Sequence, residues 1–365
     1  MYSLLSKILY RLKRAFNRFS DQFGQFAMYR VSRSEAHNVR KRLIKDRGRK
    51  VVNRKLKAKI KQYCYKTYGS SRYWPWLALY TEMRGEFLKG LIPDDVYRFE
   101  ILPKLNPEKF ASLSEAKSMD HKLFPGMTIE PQLVRLKGEY IDRNGNVLGE
   151  NQAMDYLYSL DREVVIKPDN GRQGKGIMFV HSKDIDVDKL PSDADLIIQE
   201  RVRQHNILTE VYPYSVNTFR ILTYMENSGD VGVKFINLKF GVGGNMVDNI
   251  SKGGIWVFVA LNGKVSSSAY DEFGLETGEH HPDTGYRFSD LKLPFINDII
   301  SLCKKAHRSF PYVGLIGWDV YLNESEEPFI VEWNAKNPWF WDVEARFGPL
   351  WSKEEIGEIM GVGEV

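Results

Sequence analysis

Much of what narrows this chain of 365 residues is scarce or missing. Two cysteines, Cys64 and Cys303, leave no disulfide framework and suit a reducing compartment, so a cytoplasmic protein is expected. The seven histidines are scattered, and none pairs with a cysteine at zinc-site spacing. No glycine-rich run ends in Gly-Lys-Ser/Thr, which excludes a Walker A loop. No apolar run reaches the length of a signal peptide or a membrane span. Internal repeats and low-complexity tracts are absent, and no serine, cysteine or histidine sits in a convincing nucleophile–base pair. What remains, at 43% apolar content, is enough to bury a substantial core of several subdomains plus an extension.

Charge is unevenly spread. The net value of +5 conceals 18 Lys or Arg against 3 Asp or Glu in residues 1–60, and 34 against 44 in the rest. That asymmetry marks the front as a separate basic module. Within it, Leu4, Leu5, Ile8, Leu9, Leu12, Ala15, Phe16 and Phe19 follow helical spacing, with Lys7, Arg11, Lys13, Arg14 and Arg18 on other faces. Such a helix suits an anionic membrane surface, the chain's own acidic body or a partner protein. Residues 40–59 read as a solvated helical face, and nucleic acid is not an expected partner, because no recognition motif accompanies the charge. Residues 61–115 are an aromatic-rich connecting region: Tyr63, Tyr65, Tyr68, Tyr73, Trp74, Trp76 and Tyr80 either pack helices or stack on sugar faces.

Two segments carry chemistry. Val164-Val165-Ile166-Lys167-Pro168 is a short strand, Asp169 to Gly176 is a glycine-rich turn, and Ile177 to Val180 returns. Gly171, Gly174 and Gly176 let backbone N–H groups approach an anion, while Lys167, Arg172 and Lys175 add positive charge. Far downstream, Phe329-Ile330-Val331-Glu332-Trp333-Asn334 alternates so that Glu332 and Asn334 share one strand face. The polar turn Glu324 to Pro328 brings Asp319 across from them. Three hard oxygen donors suit Mg²⁺, which completes its shell with phosphate oxygens and water. Between these segments, a loop from Lys239 to Asn249 is glycine-rich, and Asp248 and Asn249 are candidates to bind sugar hydroxyls or an amine. His281 and Asp283 form either a substrate pair or a turn fixed by Pro282 and Gly285.

The ordered series of Lys-Pro, glycine-rich hairpin, Gln199-Glu200 closing an apolar strand, and Asp319…Glu332-x-Asn334 resembles the ATP-grasp fold. Ser215-Val216-Asn217-Thr218-Phe219-Arg220, Val247-Asp248-Asn249, His281-Pro282-Asp283-Thr284-Gly285 and Ile316-Gly317-Trp318-Asp319 more narrowly resemble the sugar-transfer-associated ATP-grasp family. The match spans about Asp120 to Trp351. It implies an α+β protein in which two α+β subdomains, at residues 116–200 and 201–365, clasp Mg·ATP behind a basic, mainly helical N-terminal extension. It implies that Lys167 and Lys122 hold nucleotide phosphates, that Gln199 and Glu200 lie beside the adenine, and that Asp319, Glu332 and Asn334 hold Mg²⁺.

Arg220 is the candidate to steady the transferring phosphoryl group or the acyl phosphate, because a fork of donors suits an oxyanion, and a structural salt bridge is the alternative. Lys239 is the candidate to face phosphate from the other side, and Asn217, a candidate substrate-binding residue, orients Arg220 or the metal shell or caps a strand. The resemblance suggests an ATP-dependent carboxylate–amine ligase that joins an amino acid or other amine to a sugar carboxylate during surface polysaccharide synthesis, in the cytoplasm or peripherally at the inner membrane face. A kinase on the same scaffold and a non-catalytic nucleotide-binding scaffold of a synthesis complex are the alternatives.

Overall fold

A computed structural model describes residues 27–171, 176–186, 189–191 and 194–360. The amphipathic pattern of residues 4–19 lies outside the described residues. The chain divides into two compact units, Met1–Ile101 with Glu344–Val365, and Leu102–Val343.

The first unit is helical. A helix over residues 27–47 breaks at Gly48, and a second, Arg54–Tyr68, begins where the Asn53 side chain accepts the Leu56 N–H at 2.9 Å. It ends at Gly69, whose left-handed φ of 70° allows its N–H to close on Tyr65. Arg54, Lys55, Lys57 and Lys59 are exposed, the solvated basic face the sequence suggests.

The helix Trp74–Arg84 is buried along nearly its whole length. Its Glu82 carboxylate is fully enclosed and fully used. It accepts from Arg40 Nη2 at 2.7 Å and from the Val51 and Val52 amides at 2.7 and 3.1 Å, binding the first helix and the following turn to the third. The aromatic run packs these helices. Tyr68, Tyr73, Trp76 and Tyr80 are buried, with Trp76 donating to Ser32 Oγ and Tyr68 to the Leu91 carbonyl, both at 2.9 Å. The unit closes with the helix Lys353–Met360.

The second unit holds two antiparallel sheets. The six-stranded sheet contains β1 (Pro131–Leu136), β2 (Glu139–Asp142), β3 (Val147–Leu148), β4 (Glu163–Pro168), β5 (Met178–His181) and β6 (Leu196–Glu200), in the order β3-β2-β1-β6-β4-β5. A hairpin turn at Arg143-Asn144-Gly145 joins β2 to β3, with Asp142 Oδ1 accepting the Asn144 and Asn146 amides. One face of this sheet is covered by the helix Glu150–Leu160 through Ala153, Met154 and Leu157.

The seven-stranded sheet contains β7 (Phe219–Met225), β8 (Val231–Phe240), β9 (Ile255–Val259), β10 (Val265–Tyr270), β11 (Glu276–Gly278), β12 (Leu315–Leu322) and β13 (Pro328–Asn334), in the order β11-β10-β9-β8-β7-β12-β13. The helix Ile296–Ser309 packs under it through Ile299, Cys303 and Ala306, and Cys303 is structural. Pro294 lies just ahead of the helix cap, Phe295. Trp318 and Trp333 stack at 6.3 Å between Phe124 and Phe310, an aromatic block on the core side of β12 and β13. Each such buried ring contributes roughly 1.5–3 kcal/mol, which fixes the register of the strands whose opposite face carries the polar residues.

Candidate functional site

Antiparallel pairing sets four polar residues in one row across the seven-stranded sheet. Asn237 on β8 pairs with Arg220 on β7, Arg220 with Asp319 on β12, and Asp319 with Glu332 on β13. The turn between β12 and β13 holds this register, because Asn323 Oδ1 accepts the Ser325 and Glu327 amides at 2.9 and 2.8 Å. Two residues along from Asn237, Lys239 shares its face; two along from Glu332, so does Asn334. Trp318 and Trp333, one residue off, point to the core.

Asp319 is the hub. Arg220 grips it with Nε and Nη2, both at 2.7 Å, and Lys239 Nζ adds a third contact at 3.0 Å. Burial alone would raise its carboxyl, but the two cations outweigh it and hold Asp319 well below the usual carboxylate range. A Cβ at Gly317 would stand 3.5 Å from Arg220 Nη1, an ordinary contact distance.

On the far side, Lys117 Nζ reaches Glu332 Oε2 at 3.1 Å and the Gly171 carbonyl at 2.9 Å. Lys117 lies in a short turn pinned at both ends. The Ser118 amide donates to Asp169 Oδ1 at 2.6 Å, and Trp333 Nε1 donates to Asp120 Oδ1 at 2.9 Å. Burial raises the Asp120 carboxyl to about 7, against the pull of Lys167. Lys167 itself, on β4, is lowered to about 8, first by burial and then by the neighbouring Lys117 ammonium. Lys117, Asp120, Asp169 and Asn237 were not among the residues that the sequence singles out.

The glycine-rich turn is explained at its edges. A Cβ at Gly171 would stand 3.1 Å from the Pro168 carbonyl, and one at Gly176 would stand 3.0 Å from the Pro168 ring, at a φ of 73°. Arg172, Gly174 and Lys175 lie outside the described residues. Lys122 is exposed, five residues past the lysine that reaches Glu332. Gln199 is buried and donates to the Ile129 carbonyl at 2.6 Å, whereas Glu200 pairs with Arg162 at the surface.

The remaining motif residues build a scaffold. Asn217 is completely buried; its Nδ2 donates to the Leu208 and Tyr212 carbonyls and its Oδ1 accepts from Ser215. His281 Nε2 lies 2.9 Å from the Gly241 carbonyl, and the ring stacks on Tyr212. Asp283 accepts the Gly243 amide, and Asn249 caps the turn Ile250–Lys252. Together these contacts hold the loop after β8 against the segment before β7. There Asp248 Oδ2 accepts both the amide and the hydroxyl of Thr218, at 2.9 and 2.5 Å. Burial raises the Asp248 carboxyl, with Lys239 opposing. Asn217 and His281 therefore shape the loop, and Asp248 is the one of these residues in electrostatic reach of Asp319 and Lys239.

Asp319, Glu332 and Asn334 carry hard oxygen donors in adjoining positions; the Asn334 amide nitrogen is buried and unbonded, which leaves that amide's orientation unclaimed by the fold. Among the described residues, no three His, Cys, Asp or Glu side chains can hold a metal by themselves. Two carboxylates and an amide fit an ion that also takes phosphate and water oxygens.

A family model described as sugar-transfer associated ATP-grasp matches residues 97–345. Among solved structures, the chain is similar to the ATP-grasp ligase PsnB complexed with minimal precursor: 13% identity over 64% of this chain and 55% of that one, TM-score 0.36. It is similar to a biotin carboxylase from Campylobacter jejuni at 13% identity, over 63% of this chain and 42% of that one, TM-score 0.38. It is similar to an L-amino acid ligase from Bacillus licheniformis at 15% identity, over 64% and 41%, TM-score 0.33. In each case the chain spans less than two thirds of the other protein. No curated protein matches.

Proposed function

The chain belongs to the sugar-transfer associated ATP-grasp family, and we propose that it joins a carboxylate to an amine through an acyl phosphate made from ATP. The observation that carries this reading is the row Arg220–Asp319–Glu332 with Lys117 and Lys167 beside it, a concentration of cations and oxygen ligands with no nucleophile of the protein's own.

Phosphoryl transfer needs positioning and neutralisation of charge rather than covalent chemistry by the enzyme. A substrate carboxylate oxygen attacks the γ-phosphorus, the bond to the leaving ADP oxygen breaks, and an acyl phosphate forms. An amine then attacks the acyl carbon, phosphate leaves, and the amine loses a proton. Lys117 and Lys167 bind phosphate oxygens, and Arg220, with Nε and Nη2 held by Asp319, keeps Nη1 for the transferred group. Lys239 and Asp248 lie on the acceptor side. Asp319, Glu332 and Asn334 would hold Mg²⁺, which supplies further neutralisation of the triphosphate when bound.

The family's association with sugar transfer supports a uronic acid or other sugar carboxylate as acceptor and an amino acid as amine, in surface polysaccharide synthesis. No helix among the described residues is long and apolar enough to cross a membrane. The basic front supports peripheral attachment at an anionic membrane surface.

The test is incubation with Mg·ATP, a panel of uronic acids and sugar-nucleotide carboxylates, and hydroxylamine. Hydroxamate and ADP that depend on one carboxylate are expected. ADP with a stable phosphorylated sugar and no hydroxamate would replace the ligase reading with a kinase.

A further inference from the structure

Both carboxylates assigned above to the metal are already occupied by protein cations. Arg220 and Lys239 cover the two oxygens of Asp319, and Lys117 sits on Glu332. Lys167, Asp120, Asp169 and Asp248 stand around them, in a region where Asp319 and Lys239 are about 10% exposed. A divalent ion entering alone would have to displace the Lys117 ammonium from Glu332 and leave it only the Gly171 carbonyl. A triphosphate brings several negative charges and gives the displaced ammonium new oxygen partners.

Lys117 is the cation built to make that exchange. It is a point charge on a flexible four-carbon stem, unlike the forked and doubly bonded Arg220. Its backbone turn is fixed by Asp169 and Asp120, so only the side chain needs to swing.

We propose that Lys117 is a resident counter-cation that keeps a divalent metal off Glu332 until nucleotide phosphates draw its ammonium away, so that metal and nucleotide enter as one. The proposal rests on the metal–nucleotide reading of this site and adds the order in which the site fills. Lys117 is a positioning residue in this role, acting through Glu332.

The experiment is titration of Mn²⁺ into the full-length protein, followed by loss of the free-ion electron paramagnetic resonance signal, without nucleotide and with a non-hydrolysable ATP analogue. With the Mn²⁺ bound by the analogue in protein-free controls subtracted, the wild-type protein should take up Mn²⁺ at least tenfold more tightly with the analogue than without it. Lys117→Met should tighten metal-alone binding at least tenfold, and Lys117→Arg, which keeps the charge, should stay near wild type. Glu332→Gln should lose the gain in a Lys117→Met background.

Equal metal-alone affinity in wild type and Lys117→Met, with analogue-stimulated uptake intact, would overturn the counter-cation role and leave the metal–nucleotide reading standing. No uptake by the wild type even with the analogue would overturn that reading itself. Circular dichroism of each variant separates a folding defect from either result, and the nucleotide dependence of the wild type tests the proposal even where a variant fails to fold.

Discussion

Replacing Asp319 with asparagine should destabilise the ligand-free protein far more than replacing Glu332 with glutamine, although both should abolish turnover. Asp319 is about 10% exposed and neutralises two cations through three short contacts, with Arg220 about 20% exposed and Lys239 about 11%. At an effective dielectric of about 20, a pair of unit charges about 4 Å apart is worth about 4 kcal/mol, so the gross loss approaches about 8 kcal/mol. Asparagine still accepts one hydrogen bond, and the freed cations regain some water, which brings the net cost to about 3–5 kcal/mol, the range for stripping one partner from a buried pair. Glu332 is 33% exposed and meets a single ammonium, so its loss should cost about 0–1 kcal/mol.

Urea unfolding followed by tryptophan fluorescence reads the difference, since Trp318 and Trp333 lie on these same strands. With a slope of roughly 2–3 kcal/mol per molar, Asp319→Asn should lower the midpoint by about 1–2 M, and Glu332→Gln by less than about 0.5 M. The wild-type advantage has a pH signature. Asp319 titrates lower in the folded state than its ordinary 3.8, so its contribution is present above about pH 4 and is lost as the pH falls below that. Asp319→Asn should be flat there. Equal midpoints for the two variants, or an Asp319→Asn midpoint within error of wild type, would refute the reasoning.

Lys167→Met should weaken binding of a fluorescent ATP analogue by about 10- to 150-fold, the worth of about 1.5–3 kcal/mol for a hydrogen bond to a charged group. Because Lys167 titrates at about 8 when free, wild-type affinity should decline above that pH, and Lys167→Arg should remove the decline. Gly241→Ala places a Cβ 2.6 Å from the Tyr212 ring and 2.9 Å from Ser215 Oγ. It should cost about 1–3 kcal/mol in thermal or urea unfolding and displace the loop that carries Asp248. In the helical unit, burial raises Glu344 to about 8 and Asp94 and Asp95 to about 7. The folded state there holds protons that the unfolded chain releases, so stability should be fullest below about pH 4 and fall as the pH rises toward 8. Each group contributes up to about 1.4 kcal/mol per pH unit, and Glu344→Gln should flatten the slope.

The row of site residues was legible where a period of two carried it. Glu332 and Asn334 flank the buried Trp333, and a polar turn of the right length puts Asp319 opposite Glu332, as the register bears out; a bulge at Val331 then returns Ile330 to the core, which the alternation did not carry. Asn237 carries the same signal. It alternates with Lys239 between Ile236, Leu238 and Phe240, a polar pair on one face of a strand whose other face is core. Lys117 had no such signal. It sits in a single turn without periodicity, and its partner Glu332 is 215 residues away, so only the tertiary fold distinguishes it from Lys122. The opposite problem affected Asn217 and His281. Their side-chain chemistry suggests substrate contact, yet loops rich in unpaired backbone carbonyls also need donors, and burial committed both residues to that task.

The row also gives the site a direction. Lys117, Lys167 and the Gly171 carbonyl gather at the Glu332 end, whereas Asn237, Lys239, Thr218 and Asp248 gather at the other. Arg220 and Asp319 stand between them and hold each other through two bonds, so neither is free to follow a substrate. A bidentate centre with lysines on long stems on either side suits the proposed phosphoryl transfer. On that reading the phosphate-rich reactant needs cations that adjust to it, whereas the atom transferred needs a donor that does not move. The Arg220–Asp319 pair would supply that donor. Its bidentate geometry, rather than its charge alone, makes arginine the residue required at position 220.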